Sequence, residues 1–286
     1  MKIKKKLKFI IPGIVILVGI ILIIVGFSKG ASSDYKKSLN LKDFEAKISS
    51  GSIFNIDVDV SIAHLNVISS NEVNDFEIVA EDVTKEFIDY STTNNTLKLR
   101  YNTKKWYQAI FVPGYRDNLG TINLYIPADI SLKDVEISAE HGELNVNYLT
   151  AERVFIDCGK ESNYIKNLTC YYSEINNNGG NLNGINIDSK ESDLNLISDT
   201  AVLSNFTSES LILKNDGDLN LSGTINGDSS IKSESGDVYI DLFGFKSDYN
   251  FKVIDGDVTV NDKQDFDNKD AKYTFEILGD VYFTIS

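Results

Sequence analysis

The side chains able to do chemistry are few and scattered. His64 in "AHLNV" and His141 in "EHGEL" are the only histidines, each isolated and each at a turn-like position. A general base needs a partner within hydrogen-bond reach, so an isolated histidine reads as a solvated or capping group. Arg153 in "AERV" has an acidic neighbour and reads as one half of a surface ion pair. Asp-Gly-Asp occurs at 216–218 and 255–257. Calcium would need the D-x-D-x-D-G loop with its closing Glu, or a nonapeptide G-G-x-G-x-D run, and neither is present. The acidic run "NDKQDFDNKD" (261–270) reads as a solvated loop. Cys158 and Cys170 are the only cysteines, and their spacing requires no bridge; they read as free thiols acting as small hydrophobes. No catalytic set, metal site or cofactor is assigned. The best binding patch is aromatic: "KKWYQAIFVPGY" (104–115) holds Trp106, Tyr107 and Tyr115, although such residues also cap exposed cores.

Charge narrows the partners. The chain carries a formal −14. Residues 1–8 are basic, with five lysines, and Phe9–Phe27 follows without one charged side chain. At roughly 1.5 Å per residue that stretch just covers a hydrocarbon core about 30 Å thick. The excess of lysine before it places the N-terminus in the cytoplasm and the rest outside. A cleaved signal peptide is the competing reading, but the apolar stretch is long for one, and Lys29 stands where a small residue is wanted. Without the five lysines, 23 basic residues face 42 acidic ones, a formal −19 outside. Such a surface repels nucleic acid and attracts cations, including divalent ions and basic peptides.

The elements that must carry these residues follow from periodicity. Beyond a juxtamembrane linker (28–50), apolar residues alternate, as in "SIFNIDVDVSI" (52–62) and "TINLYIP" (121–127), the period of half-buried strands. A glycine turn then recurs. Slots at Gly142, Gly180, Ser192, Gly217, Gly236, Gly256 and Gly279 are each followed by an acidic residue or Asn, and then by Leu or Val two positions after the slot. An apolar residue five before the slot (Ile137, Ile212, Ile231) completes most windows, while Gly184 breaks the pattern four after Gly180. Steps near 19 residues mark stacked units that cannot bury their apolar edge alone. The preferred architecture is an all-β solenoid of coils of about 19 residues over 51–286, with 51–130 less regular and 131–286 repeated. An antiparallel sandwich is the rival, since a glycine between alternating stretches is also a hairpin signal. The Asn-rich "NNNGGNLNGINI" (176–187) favours coils, where stacked amides bond along a ladder.

The motif "SGDVYI" (235–240), the stretch "INLYIPADISLKDVEISAEHGELNV" (122–146) and the single N-terminal apolar helix together resemble the DUF4097 family of candidate adhesins, including LiaG-like membrane-anchored proteins of envelope-stress operons. The resemblance covers about 50–286. It implies a β-solenoid outside the membrane with adhesion or envelope-stress roles, and no catalytic residues to carry over. Ser192 in a glycine slot and a poorly formed coil around Gly159–Tyr164 depart from it.

These readings predict a single-pass protein of a Gram-positive-type bacterium. It would work by non-enzymatic binding or scaffolding at the cell envelope, with cationic peptides, cell-wall components or envelope-stress membrane proteins as partners. An adhesin contacting cell-wall or host glycans is one alternative. A carbohydrate-active β-helix enzyme is the other, and it would need two carboxylates flanking a cleft.

Overall fold

The computed structural model describes residues 41–102, 120–227, 229–243, 249–255, 258–260, 263–264, 273–278 and 281–285. The N-terminal apolar segment, Trp106, Tyr107, Tyr115, Gly256 and Gly279 lie outside them. Among the described residues no helix is long and apolar enough to cross a membrane.

The described chain is strand almost throughout. It begins with β1 (Lys42–Ile48), β2 (Asn55–Ile62), β3 (His64–Ser70) and β4 (Phe76–Val83). After a 3-10 turn at Lys85–Phe87 come β5 (Ile88–Thr93), β6 (Thr96–Tyr101), β7 (Thr121–Pro127), β8 (Leu132–His141), β9 (Leu144–Asn147) and β10 (Thr150–Cys158). Two long strands that bend without losing their pairing follow, β11 (Asn163–Asn178) and β12 (Leu182–Ile225). The C-terminal part holds β13 (Ser229–Ser233), β14 (Val238–Leu242), β15 (Tyr249–Asp255), β16 (Val258–Val260), β17 (Lys263–Gln264), β18 (Tyr273–Leu278) and β19 (Val281–Ile285).

Pairing across the middle is parallel and steps by one coil. Leu132, Ala151, Cys170 and Ser189 stand in register, as do Ile137, Ile156, Ile175 and Leu194, each 19 residues from the last. This parallel ladder excludes the antiparallel sandwich for these strands. Alternation then decides burial. Val135, Ile137, Val154, Ile156 and Ile175 point inward and are buried, and the residues between them face out.

The turns need particular backbones. Gly142, Gly180, Gly217 and Gly236 have φ of 117°, 67°, 132° and 79°. A Cβ on Gly180 would lie 2.1 Å from the Glu161 carbonyl oxygen of the coil below, so a side chain meets both strain and backbone there. A second corner uses Tyr148, Asn167, Asn186 and Asn205, all with φ between 53° and 58° and spaced by 19. Asparagine tolerates this left-handed region better than other non-glycine residues.

The structure corrects three details of the repeat and explains a fourth. Ser192 occupies no turn; it is buried within β12 in register with Ser173, and 19 residues beyond Gly180 the chain has Asp199. Ile212 is 49% exposed while Leu211 and Leu213 are buried, so the apolar rule slips by one residue there. The coil around Gly159–Tyr164 is well formed, with Asn163 paired to both Leu144 and Leu182. Gly184 breaks the pattern because the space its side chain would take is filled by Leu203 and Ile187, whose methyl carbons lie 2.7 and 2.8 Å from the Cβ position.

At both ends the stacking order departs from chain order. β2 lies between β6 and β8, so the first coil in sequence sits inside the second. Likewise β18 lies between β13 and β15, and β19 between β14 and β16. Antiparallel strands then pair onto the outer layers: β4 on β7, β5 on β6 and β17 on β16. Pairing an outer layer shields a parallel edge that would otherwise offer unpaired N–H and C=O groups to other chains.

Candidate functional site

Out-of-order stacking brings distant residues into one outward face. In register across β6, β2, β8, β10 and β11 run Lys98, Asp57, Glu136, Phe155 and Glu174. Two positions along, the row is Arg100, Asp59, Ser138, Asp157 and Asn176. Each stands between buried residues of its strand, so the alternation that fills the core forces these side chains outward. The face forms a groove of about 610 Å³ lined by five carboxylates and one guanidinium.

The carboxylates are not equivalent. Arg100 Nη2 is 2.5 Å from Asp57 Oδ2 and its Nε is 4.0 Å from Asp59, so both aspartates balance one cation. Arg100 Nη1 also donates to the Asp57 carbonyl at 2.9 Å, and the bond to the Asp57 carboxylate holds the guanidinium above its ordinary pKa. Toward β11 no salt bridge among the described residues reaches the acids. Glu174 accepts hydrogen bonds from the Tyr172 hydroxyl and from Asn176 Nδ2, each at 3.3 Å. Asp157 accepts one from Asn178 Nδ2 at 2.6 Å. Burial pushes the Asp157 carboxyl up, against the Asn178 bond that lowers it. Burial, with Glu174 nearby, likewise raises the Tyr172 hydroxyl. Phe155 and Tyr172 meet with ring centroids 5.7 Å apart at 52° beside these acids.

Carboxylates next to aromatic faces suit an ammonium or guanidinium group, which gains both the ion pair and the ring quadrupole. A glycosidase needs its two carboxyls on either side of a sugar. Among the described residues, all that line this groove belong to the adjacent strands β6, β2, β8, β10 and β11, and none of them forms an opposing wall. Among the described residues no group of three or more His, Cys, Asp or Glu is placed to hold a metal ion.

The residues singled out by sequence take other positions. His64 Nδ1 accepts the Glu143 backbone N–H at 3.1 Å, a cap, and His141 Nε2 lies 3.6 Å from Glu140. Arg153 pairs with Asp134 at 2.6 Å on the surface. Asp216 accepts from the Ser235 hydroxyl at 2.5 Å and Asp218 from the Asp237 N–H at 3.0 Å, so this Asp-Gly-Asp joins successive turns. Cys158 and Cys170 are free and buried, and burial pushes both thiols up. Sequence reasoning missed the groove. Glu136, Phe155, Glu174 and Asp193 do recur at 19, but nothing marks Asp57 and Arg100 as their neighbours.

No curated protein matches the chain. The family model described as Toastrack DUF4097 matches residues 53–276. Among solved structures, a candidate adhesin from Bacteroides fragilis NCTC 9343 is 15% identical, with 86% of this chain and 97% of that chain covered at a TM-score of 0.53. Another candidate adhesin, from Parabacteroides distasonis ATCC 8503, is 12% identical over 86% of this chain and 98% of that chain, at a TM-score of 0.44.

Proposed function

Because the chain belongs to the Toastrack DUF4097 family, we propose that its coils are a non-enzymatic binding surface at the bacterial cell envelope, and that the acidic groove takes the basic side chains of a cationic peptide or protein segment. In this reading Phe9–Phe27 is a single-pass anchor with the basic tail in the cytoplasm, and the coils stand outside, where an envelope-stress role is served by capturing cationic material. The adhesin description of the Bacteroides fragilis neighbour accords with binding rather than catalysis.

The observation that supports it is the groove, in which Asp157 and Glu174 on successive coils have no salt-bridge partner among the described residues, Glu136 adds a further carboxylate beside Arg100, and Phe155 and Tyr172 offer ring faces next to the acids. Coils about 4.8 Å apart make this a column of negative charge, which steers a basic ligand and then holds it. The test is titration of the full-length protein in detergent with a lysine- and arginine-rich peptide at low and high salt. Affinity should fall steeply with salt and drop by about tenfold or more in E136Q/D157N/E174Q. Binding insensitive to salt, or equal in the triple variant, would overturn the reading.

A further inference from the structure

A second repeated surface lies at the asparagine corner, where charge is nearly absent. Asn186 Nδ2 donates to Asn167 Oδ1 and Asn205 Nδ2 to Asn186 Oδ1, both at 2.8 Å, and Asn167 continues the ladder to Asn147 Oδ1 at 3.0 Å. Two residues beyond the corner, Thr150, Thr169, Asp188 and Thr207 form a parallel outward column. The residues between, Leu168, Ile187 and Phe206, are buried and fix both columns to the core. Together the columns border a depression of about 380 Å³, closed at one end by Tyr148, which is 60% exposed.

We propose that this strip binds an extended, uncharged β-1,4-linked glycan laid along the stacking direction, one sugar unit per coil, with Tyr148 as a platform for a terminal ring. Three features select that ligand. Coils repeat at about 4.8 Å, close to the advance of one sugar in an extended β-1,4-linked chain, whereas α-1,4-linked chains coil away from such a line. Asn167 and Asn186 each spend one N–H and one oxygen lone pair on their neighbours and keep another of each for a ligand; among the described residues the hydroxyls of Thr150, Thr169 and Thr207 engage no protein group. In a chain of formal charge −14, the depression carries one carboxylate, Asp188, so it favours a polyol over the cations the groove attracts. The ladder also fixes its side chains before binding, which lowers the ordering cost, and an exposed tyrosine offers an apolar ring with a polar tip to a sugar.

The test is calorimetric titration of the full-length protein in detergent with chitin- and cello-oligosaccharides of two to six units, and with malto-oligosaccharides as the α-linked control. Affinity should rise with length up to about four units, matching the four coils that carry the threonine column, and then level off. T169V/T207V should weaken binding about tenfold with an unchanged melting temperature, and Y148N, which suits the left-handed backbone, should weaken it severalfold. The groove variant E174Q should leave it unchanged. No binding of either β-1,4 series, equal binding of the α-linked control, indifference to T169V/T207V, or loss in E174Q would each overturn the proposal.

Discussion

The middle coils and the two ends solve the same problem differently. From β8 to β12 every coil is the template for the next, so one register, one Asn corner and one set of inward columns repeat at 19 residues. At the ends repetition stops, and the chain tucks its outermost sequence inside the coil that follows or precedes it, then pairs the exposed layer with antiparallel strands. Repetition supplies stability from nearest-neighbour contacts. Closing an edge takes a local exception.

The largest predicted effect tests whether cooperativity follows this division. Phe206, fully buried in β12, has coils on both sides, whereas Phe76, equally buried in β4, lies in a strand paired, among the described residues, with β1 and β7 alone. Each truncation to Ala should cost about 3–5 kcal/mol. Their reach should differ. Hydrogen exchange by mass spectrometry should show F206A opening β11, β12 and the coils either side, and F76A opening only β1, β4 and β7 while β8–β12 stay protected. Equal spread from both would mean that ends and middle are one cooperative unit.

The same division explains what was legible in sequence. The 19-residue step and the glycine turns at 142, 180, 217 and 236 could be read because each coil restates them. The Asn corner was equally periodic at 167, 186 and 205, but a search aligned on glycine passes over it, and so placed Ser192 in a turn slot that it does not fill. The groove was not legible, because half of its charged side chains come from Asp57, Asp59 and Arg100, and the insertion of β2 between β6 and β8 leaves no periodic trace. Repetition writes itself into a sequence, and a single long-range exception does not.

A smaller effect separates what asparagine does in each region. In the middle, Asn186 holds a left-handed corner and two ladder bonds; at the N-terminal end, Asn94 and Asn95 hold φ of 51° and 61° in the two-residue turn joining β5 to β6. Such hairpin turns accept glycine readily. N94G should therefore shift stability by no more than about 0.5 kcal/mol. N186G keeps the backbone but loses both side-chain bonds and should cost about 1–2 kcal/mol, with N186A costing more because alanine is strained there. Chemical denaturation of the three variants measures this, and equal costs for N94G and N186G would show that the ladder contributes nothing.

The smallest effect lies where the two regions meet, at Asp157 in the groove. Burial raises its carboxyl in the folded protein above the unfolded value. Between those two values the folded state binds more protons than the unfolded one, so this group makes stability fall as pH rises through the window, and its penalty is full above the folded pKa. Most structural carboxylates, held down by partners, act with the opposite sign. D157N removes the titration and keeps a polar side chain beside Asn178. The melting temperature of D157N minus that of the parent should therefore be most favourable near neutral pH and shrink as pH falls from about 6 to about 3. A difference that is flat with pH would mean that Asp157 is not desolvated, and that the acidic end of the groove is as open to water as an ordinary coil face.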